Sequence, residues 1–220
     1  MKKVSFQFGV AISVVVVAVM IAGLFITKIY REDNSRAMML PDKVLTLLAH
    51  PRPLTSFSLT DDRNRPFDLD SLKGKWTFIF FGFTNCPDVC PTTLATMARA
   101  SETIAKSSAD AKAVQVVFIS VDPNRDTVSK LRQYLDYFDS TFIGATGDNT
   151  QIRKLAVQLD AAYEVTIVPG LNSYPVLHSP GVFLVDPRAR YHAVFTPPHD
   201  AVAISRRFKV LRELETEGAT

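Results

Sequence analysis

The chain of 220 residues contains two cysteines, Cys86 and Cys90, four positions apart. A thiolate is both a nucleophile and a soft metal donor. As a structural bridge the pair would close a very short loop, which the chain-entropy model credits with about 2 kcal/mol. A domain of this size buries a full core without such help. Cysteines used nowhere else but placed together therefore point to redox chemistry or a metal site. Two thiolates suit Cu(I) or Zn(II) better than oxygen-preferring cations. Alone they give an exposed, linear site, and a third donor such as an imidazole would close it to trigonal.

Four histidines could supply that donor. His50 falls in a proline-containing segment that reads as a tether. His192 falls within an expected strand, as a half-buried sheet residue. His199 follows Pro197-Pro198 and reads as solvated, with Asp200 the helix cap. His178 lies in a long irregular stretch, 161–181, just before a buried strand, and loops at strand ends are where sites collect. Spacing alone does not choose among them, since a lone loop histidine is more often a surface residue.

The elements around the cysteines are clearer. The run Lys75-Trp-Thr-Phe-Ile-Phe-Phe-Gly-Phe83 suits a strand buried on both faces. It leads through the cysteine loop into a helix over Thr92–Lys106, with Pro91 in its first turn. Cys90 thus stands at a helix N-terminus, which favours its thiolate. Residues 57–69 read as a β-hairpin, Val114–Val121 as a second buried strand, Asp126-Thr127 as the cap of a helix reaching Phe138, and 149–159 as another helix. Val182–Val185 and Tyr191–Phe195 form a hairpin turning at Asp186-Pro-Arg-Ala189, and a helix from Ala201 to Leu214 closes the chain. Strands alternating with helices indicate an α/β sandwich of the thioredoxin type.

Lys3 and Lys28 flank 24 uncharged residues. About 20 apolar residues cross a bilayer as a helix, and the run is too long for the apolar part of a cleaved signal. The domains expected are therefore a membrane anchor over 1–30, a tether over 31–53 and a thioredoxin-like domain over 54–220. The large domain behind the helix would face the oxidising side. A start at Met-Lys-Lys leading straight into the anchor favours a bacterial inner membrane with the domain in the periplasm. Net charge is +3, with no Lys/Arg block to suggest nucleic acid as a partner.

Three motifs, in order, resemble those of the Sco/SenC copper chaperones: Phe80-Phe-Gly-Phe-Thr-Asn-Cys-Pro-Asp-Val-Cys-Pro91, Val121-Asp-Pro-Asn-Arg-Asp-Thr127, and Tyr174-Pro-Val-Leu-His-Ser179 followed by Val182-Phe-Leu-Val-Asp-Pro187. The similarity covers 54–214. It implies a thioredoxin fold holding one copper ion, as Cu(I) and also Cu(II), on Cys86, Cys90 and His178. It also implies cytochrome c oxidase subunit II as the partner, which receives copper or reducing equivalents at its dinuclear copper centre, and further periplasmic copper carriers or thiol reductases as suppliers. Asp88, between the cysteines, is read either as a tuning and docking residue or as a solvated turn residue. Asp122 is expected to end a strand and Asp126 to cap a helix. The chain departs from the family at Phe83, where tyrosine is common, at Asn85, where histidine is frequent, and at Leu177, where an aspartate usually precedes the ligand. Leu177 is expected to leave the imidazole a more apolar surrounding.

The other readings are a thiol–disulfide reductase using the Cys86–Cys90 pair without obligatory copper, a peroxidase, and a purely structural anchored domain. The spacing departs from the C-x2-C of general thioredoxin reductants, no Thr/Arg set supports a peroxidatic cysteine, and the motif cluster argues against a merely structural role.

Overall fold

The computed structural model describes residues 20–23, 44–107, 113–166 and 174–217. The anchor expected over 1–30 lies outside them, except that 20–23 are helical. Among the described residues no helix is long and apolar enough to cross a membrane.

The strands are β1 (Leu45–Pro53), β2 (Ser58–Asp61), β3 (Pro66–Asp68), β4 (Trp76–Gly82), β5 (Val114–Ser120), β6 (Ile143–Thr146), β7 (Tyr163–Val165), β8 (Val176–His178), β9 (Val182–Val185) and β10 (Arg190–Phe195). The helices are α1 (Val89–Ser107), α2 (Val128–Asp136), α3 (Asn149–Gln158) and α4 (Ala201–Glu217). Eight strands form one sheet in the order β1-β10-β9-β4-β5-β6-β2-β3, while β7 and β8 pair separately. β4, β5 and β6 run parallel, and β9 lies antiparallel to β4 on its other side.

All seven residues of β4 are buried. Successive side chains of a strand face opposite ways. Phe78 and Phe80 therefore enter one core with Leu94 and Met97 of α1 and Ile204 and Phe208 of α4. Ile79 and Phe81 enter the other, with Ile152 and Leu155 of α3 and the hairpin residues Leu59 and Phe67. This is the two-faced α/β sandwich expected from the sequence, and it fixes the C-terminal ends of β4 and β5 side by side.

Three expectations change. Residues 45–53, read as tether, form an edge strand on β10; Pro51 and Pro53 disguise it, but an edge strand tolerates residues that cannot donate to a ladder. The stretch 161–181, read as irregular, contains the β7–β8 pairing, whose three-residue strands are too short to show a period. Thr127, not Asp126, caps α2: its side chain accepts the Lys130 N–H at 3.3 Å.

Candidate metal centre

β4 ends at Gly82, and the turn beyond it carries both cysteines into α1. The Cys86 N–H donates to the Phe83 carbonyl at 3.2 Å, and the Cys90 N–H, in the first turn of α1, donates to Cys86 Sγ at 3.4 Å. Gly82 makes room for this. A Cβ there would stand 2.7 Å from Cys90 Sγ and 2.7 Å from Phe118.

The turn is tied down from below by Asp126, which is wholly buried. Its carboxylate accepts from the Thr84 N–H at 2.8 Å, the Thr84 hydroxyl at 2.5 Å, the Ser120 hydroxyl at 2.7 Å and the Lys130 ammonium at 3.2 Å. A buried carboxylate survives only when paired and hydrogen-bonded in this way. Lys130 also donates to Asn85 Oδ1 at 2.8 Å. Asp126 therefore fixes the residues just before Cys86 rather than capping a helix. Its place in the second motif was the only sequence signal for this.

His178 is the last residue of β8 and pairs with Tyr163. Its Nε2 lies 3.3 Å from Cys90 Sγ, and its Nδ1–H donates to the Ser179 carbonyl at 3.1 Å. That bond leaves the Nε2 lone pair facing the sulfurs, the arrangement usual for a metal-binding imidazole. The rings of Phe80 and Phe83 meet it edge-on at 5.7 and 6.0 Å. Burial holds the His178 imidazole below its usual range despite the opposing Ser179 carbonyl, a shift toward the neutral form.

The donor atoms of Cys86, Cys90 and His178 all lie within 4.8 Å of one another. Both cysteines are free thiols. Cys90 is fully buried, and burial pushes its thiol far above the ordinary value, despite a backbone hydrogen bond at Phe83. The helix N-terminus expected to favour its thiolate is thus outweighed by desolvation. A cation held at the site would reverse that balance, because a coordinating thiol loses its proton outright. Two sulfurs and one imidazole in an aromatic surrounding suit a soft ion.

The remaining candidates lie apart. Asp88 is exposed on the turn. Leu177 is 68% exposed and pairs with Glu164; strand alternation puts it on the side opposite His178, so it does not form the imidazole's surrounding. His50 is exposed on β1. His199 is half-buried rather than solvated, with its Nε2–H donating to the Pro180 carbonyl at 2.7 Å. His192 is buried on β10 and forms, with Asp186 and Glu215, a second cluster of possible donors. That cluster already holds a cation. Arg190 donates to Asp186 at 2.6 Å and lies 3.7 Å from Glu215.

The sequence profile of the SCO1/SenC family matches residues 48–212. The SCO2-like protein of Rickettsia felis is 38% identical over 136 residues, covering 61% of this chain and 65% of its own. The chain thus spans just under two thirds of that relative's length. Among solved structures, Arabidopsis thaliana ScoI with copper bound is 34% identical with a TM-score of 0.65, covering 74% of this chain and 98% of that one. Bradyrhizobium japonicum ScoI with copper bound is 33% identical with a TM-score of 0.63, covering 71% and 98%.

Proposed function

This chain belongs to the SCO1/SenC family, and from that premise we propose that it is a metallochaperone that binds one copper ion through Cys86, Cys90 and His178 and delivers it to the dinuclear copper centre of cytochrome c oxidase subunit II. The observation that carries the reading is the convergence of two sulfurs and one imidazole nitrogen within 4.8 Å. The copper-bound relatives from Arabidopsis and Bradyrhizobium support the choice of metal. Copper here is cargo. The chain's part is to offer soft donors, keep Nε2 free through the Nδ1–H bond to Ser179, and exclude water with Phe80 and Phe83.

The domain, in this proposal, is held by a membrane anchor over 1–30 and faces the bacterial periplasm. Its support is the 24-residue uncharged run between Lys3 and Lys28. Alkaline phosphatase fused after Thr220 should be active there, since it needs an oxidising compartment; a stable but inactive fusion would place the domain in the cytoplasm.

The functional test is oxidase activity in a deletion strain at limiting copper. Cys86→Ala, Cys90→Ala and His178→Ala should each abolish complementation. Dithiol reduction alone needs only the cysteines. Full complementation by His178→Ala, with none by Cys86→Ala, would replace delivery by reduction.

A further inference from the structure

The arm that carries His178 stands apart from the main sheet. Among the described residues, β7 and β8 pair only with each other and add no strand to the main sheet. A two-stranded unit is marginal by itself, so side-chain contacts must hold it. At its near end Tyr174 reaches across to the turn after β5. The Tyr174 hydroxyl donates to Asp122 Oδ1 at 2.6 Å. Asp122 is buried and ion-paired with Arg125. The Arg125 guanidinium lies 3.8 Å from the centre of the Tyr174 ring and donates to the Tyr174 carbonyl at 3.4 Å. The same guanidinium lies over Phe83 at 5.7 Å, and Phe83 packs against His178.

We propose that Tyr174, Asp122 and Arg125 form a latch that positions the His178 arm, so that the third donor can be withdrawn while Cys86 and Cys90 stay in place. The inference rests on the copper reading above and deepens it. The cysteine turn is pinned by Asp126, through contacts to Thr84, Ser120 and Lys130, and the arm by Tyr174 at one end and by Tyr163, which stacks on Arg153 of α3, on the other strand. The two anchor points adjoin, since the Asp126 N–H donates to the Asp122 carbonyl at 3.0 Å and the Ser120 hydroxyl accepts from the Asp122 N–H, but the cysteine turn's contacts to Asp126 do not pass through Tyr174, which is the arm's own contribution. Releasing the latch leaves a two-sulfur site, from which a partner offering its own donors can take a soft ion by ligand exchange. Tyr174, Asp122 and Arg125 are positioning residues and touch no metal. The latch raises apparent affinity by keeping the competent arrangement populated.

The test uses the full chain in detergent and two readouts. Tyr174→Phe removes one hydrogen bond to a charged acceptor and keeps the ring; it should weaken Cu(I) about tenfold. In the His178→Ala background the same substitution should change nothing, because no donor is left to position. Without metal, Tyr174→Phe should speed hydrogen exchange at the Thr166 amide, which bonds the Pro175 carbonyl at 3.2 Å, and leave β4 unchanged. Equal copper loss in both backgrounds, or unchanged exchange at Thr166, would overturn the latch. If the unmodified chain bound no Cu(I), the proposed function would fall, and the exchange measurement would still decide whether Tyr174 holds the arm.

Discussion

Replacing Gly82 by alanine would put a methyl group 2.7 Å from Cys90 Sγ and from a ring carbon of Phe118. Neither neighbour is the far end of a long flexible side chain, so the sulfur, the ring or the strand must shift. We expect Gly82→Ala to weaken Cu(I) binding about tenfold or more, as overpacking of this kind costs on the order of 1–3 kcal/mol; a competition titration with a chromophoric chelator checks it. Leu177→Asp, by contrast, should leave Cu(I) affinity within about twofold, because an exposed charge is largely screened by solvent. The same titration reads it, and a large tightening would mean the aspartate reaches the imidazole after all. The cysteines were legible in the sequence because they stand alone and four apart. His178 was not, since one histidine of four in an apparently irregular stretch carries no periodic signal. Only the resemblance of its motif singled it out. Asp126 and Gly82 were present in the motifs, but the reason for them is a contact with a distant residue, which no local pattern encodes.

At the scale of elements, the hairpin β9–β10 turns on Asp186, as the sequence indicated. Asp186 Oδ1 accepts the N–H groups of Arg188 and Arg190, both at 2.9 Å, while Ala189 takes a positive φ of 56°. Burial works to raise the Asp186 carboxyl, but His192 and Arg190 overcome it and hold it at about 2, against an ordinary 3.8. A carboxyl lowered in the folded state stabilises at pH values above its unfolded pKa, and that contribution is lost as pH falls through the folded one. The hairpin should therefore add up to about 2 kcal/mol of stability that disappears between roughly pH 4 and pH 2. Thermal unfolding across that range checks it: Asp186→Asn should be less stable near neutrality and show a flatter acid limb, and a limb parallel to the unmodified protein's would refute the assignment. The long helices α1 and α4 were readable because one buried face imposes a period over many residues, and β4 and β5 because burial on both faces makes an almost unbroken apolar run. β1, β6, β7 and β8 were not, because they are short or, in β1, interrupted by prolines, and tertiary pairing rather than local preference makes them strands.

At the scale of the whole molecule, the sequence placed the domain boundary at residue 54, whereas β1 begins at Leu45 and closes the edge of the sheet on β10. We propose a domain that begins before Leu45. A fragment starting at Leu54 would leave β10 as an open edge, and its melting midpoint should fall by about 4 °C or more relative to one starting at Asp42; equal midpoints would return 45–53 to the tether. The proposed function requires one copper ion between two sulfurs and one imidazole, with the protein folded in advance to present them. X-ray absorption at the copper edge tests that most directly, on the full chain loaded with one equivalent of Cu(I). Two sulfur neighbours and one nitrogen are expected, with the nitrogen lost in His178→Ala and retained in His192→Ala and His199→Ala. Two sulfurs alone, unchanged by His178→Ala, would contradict it.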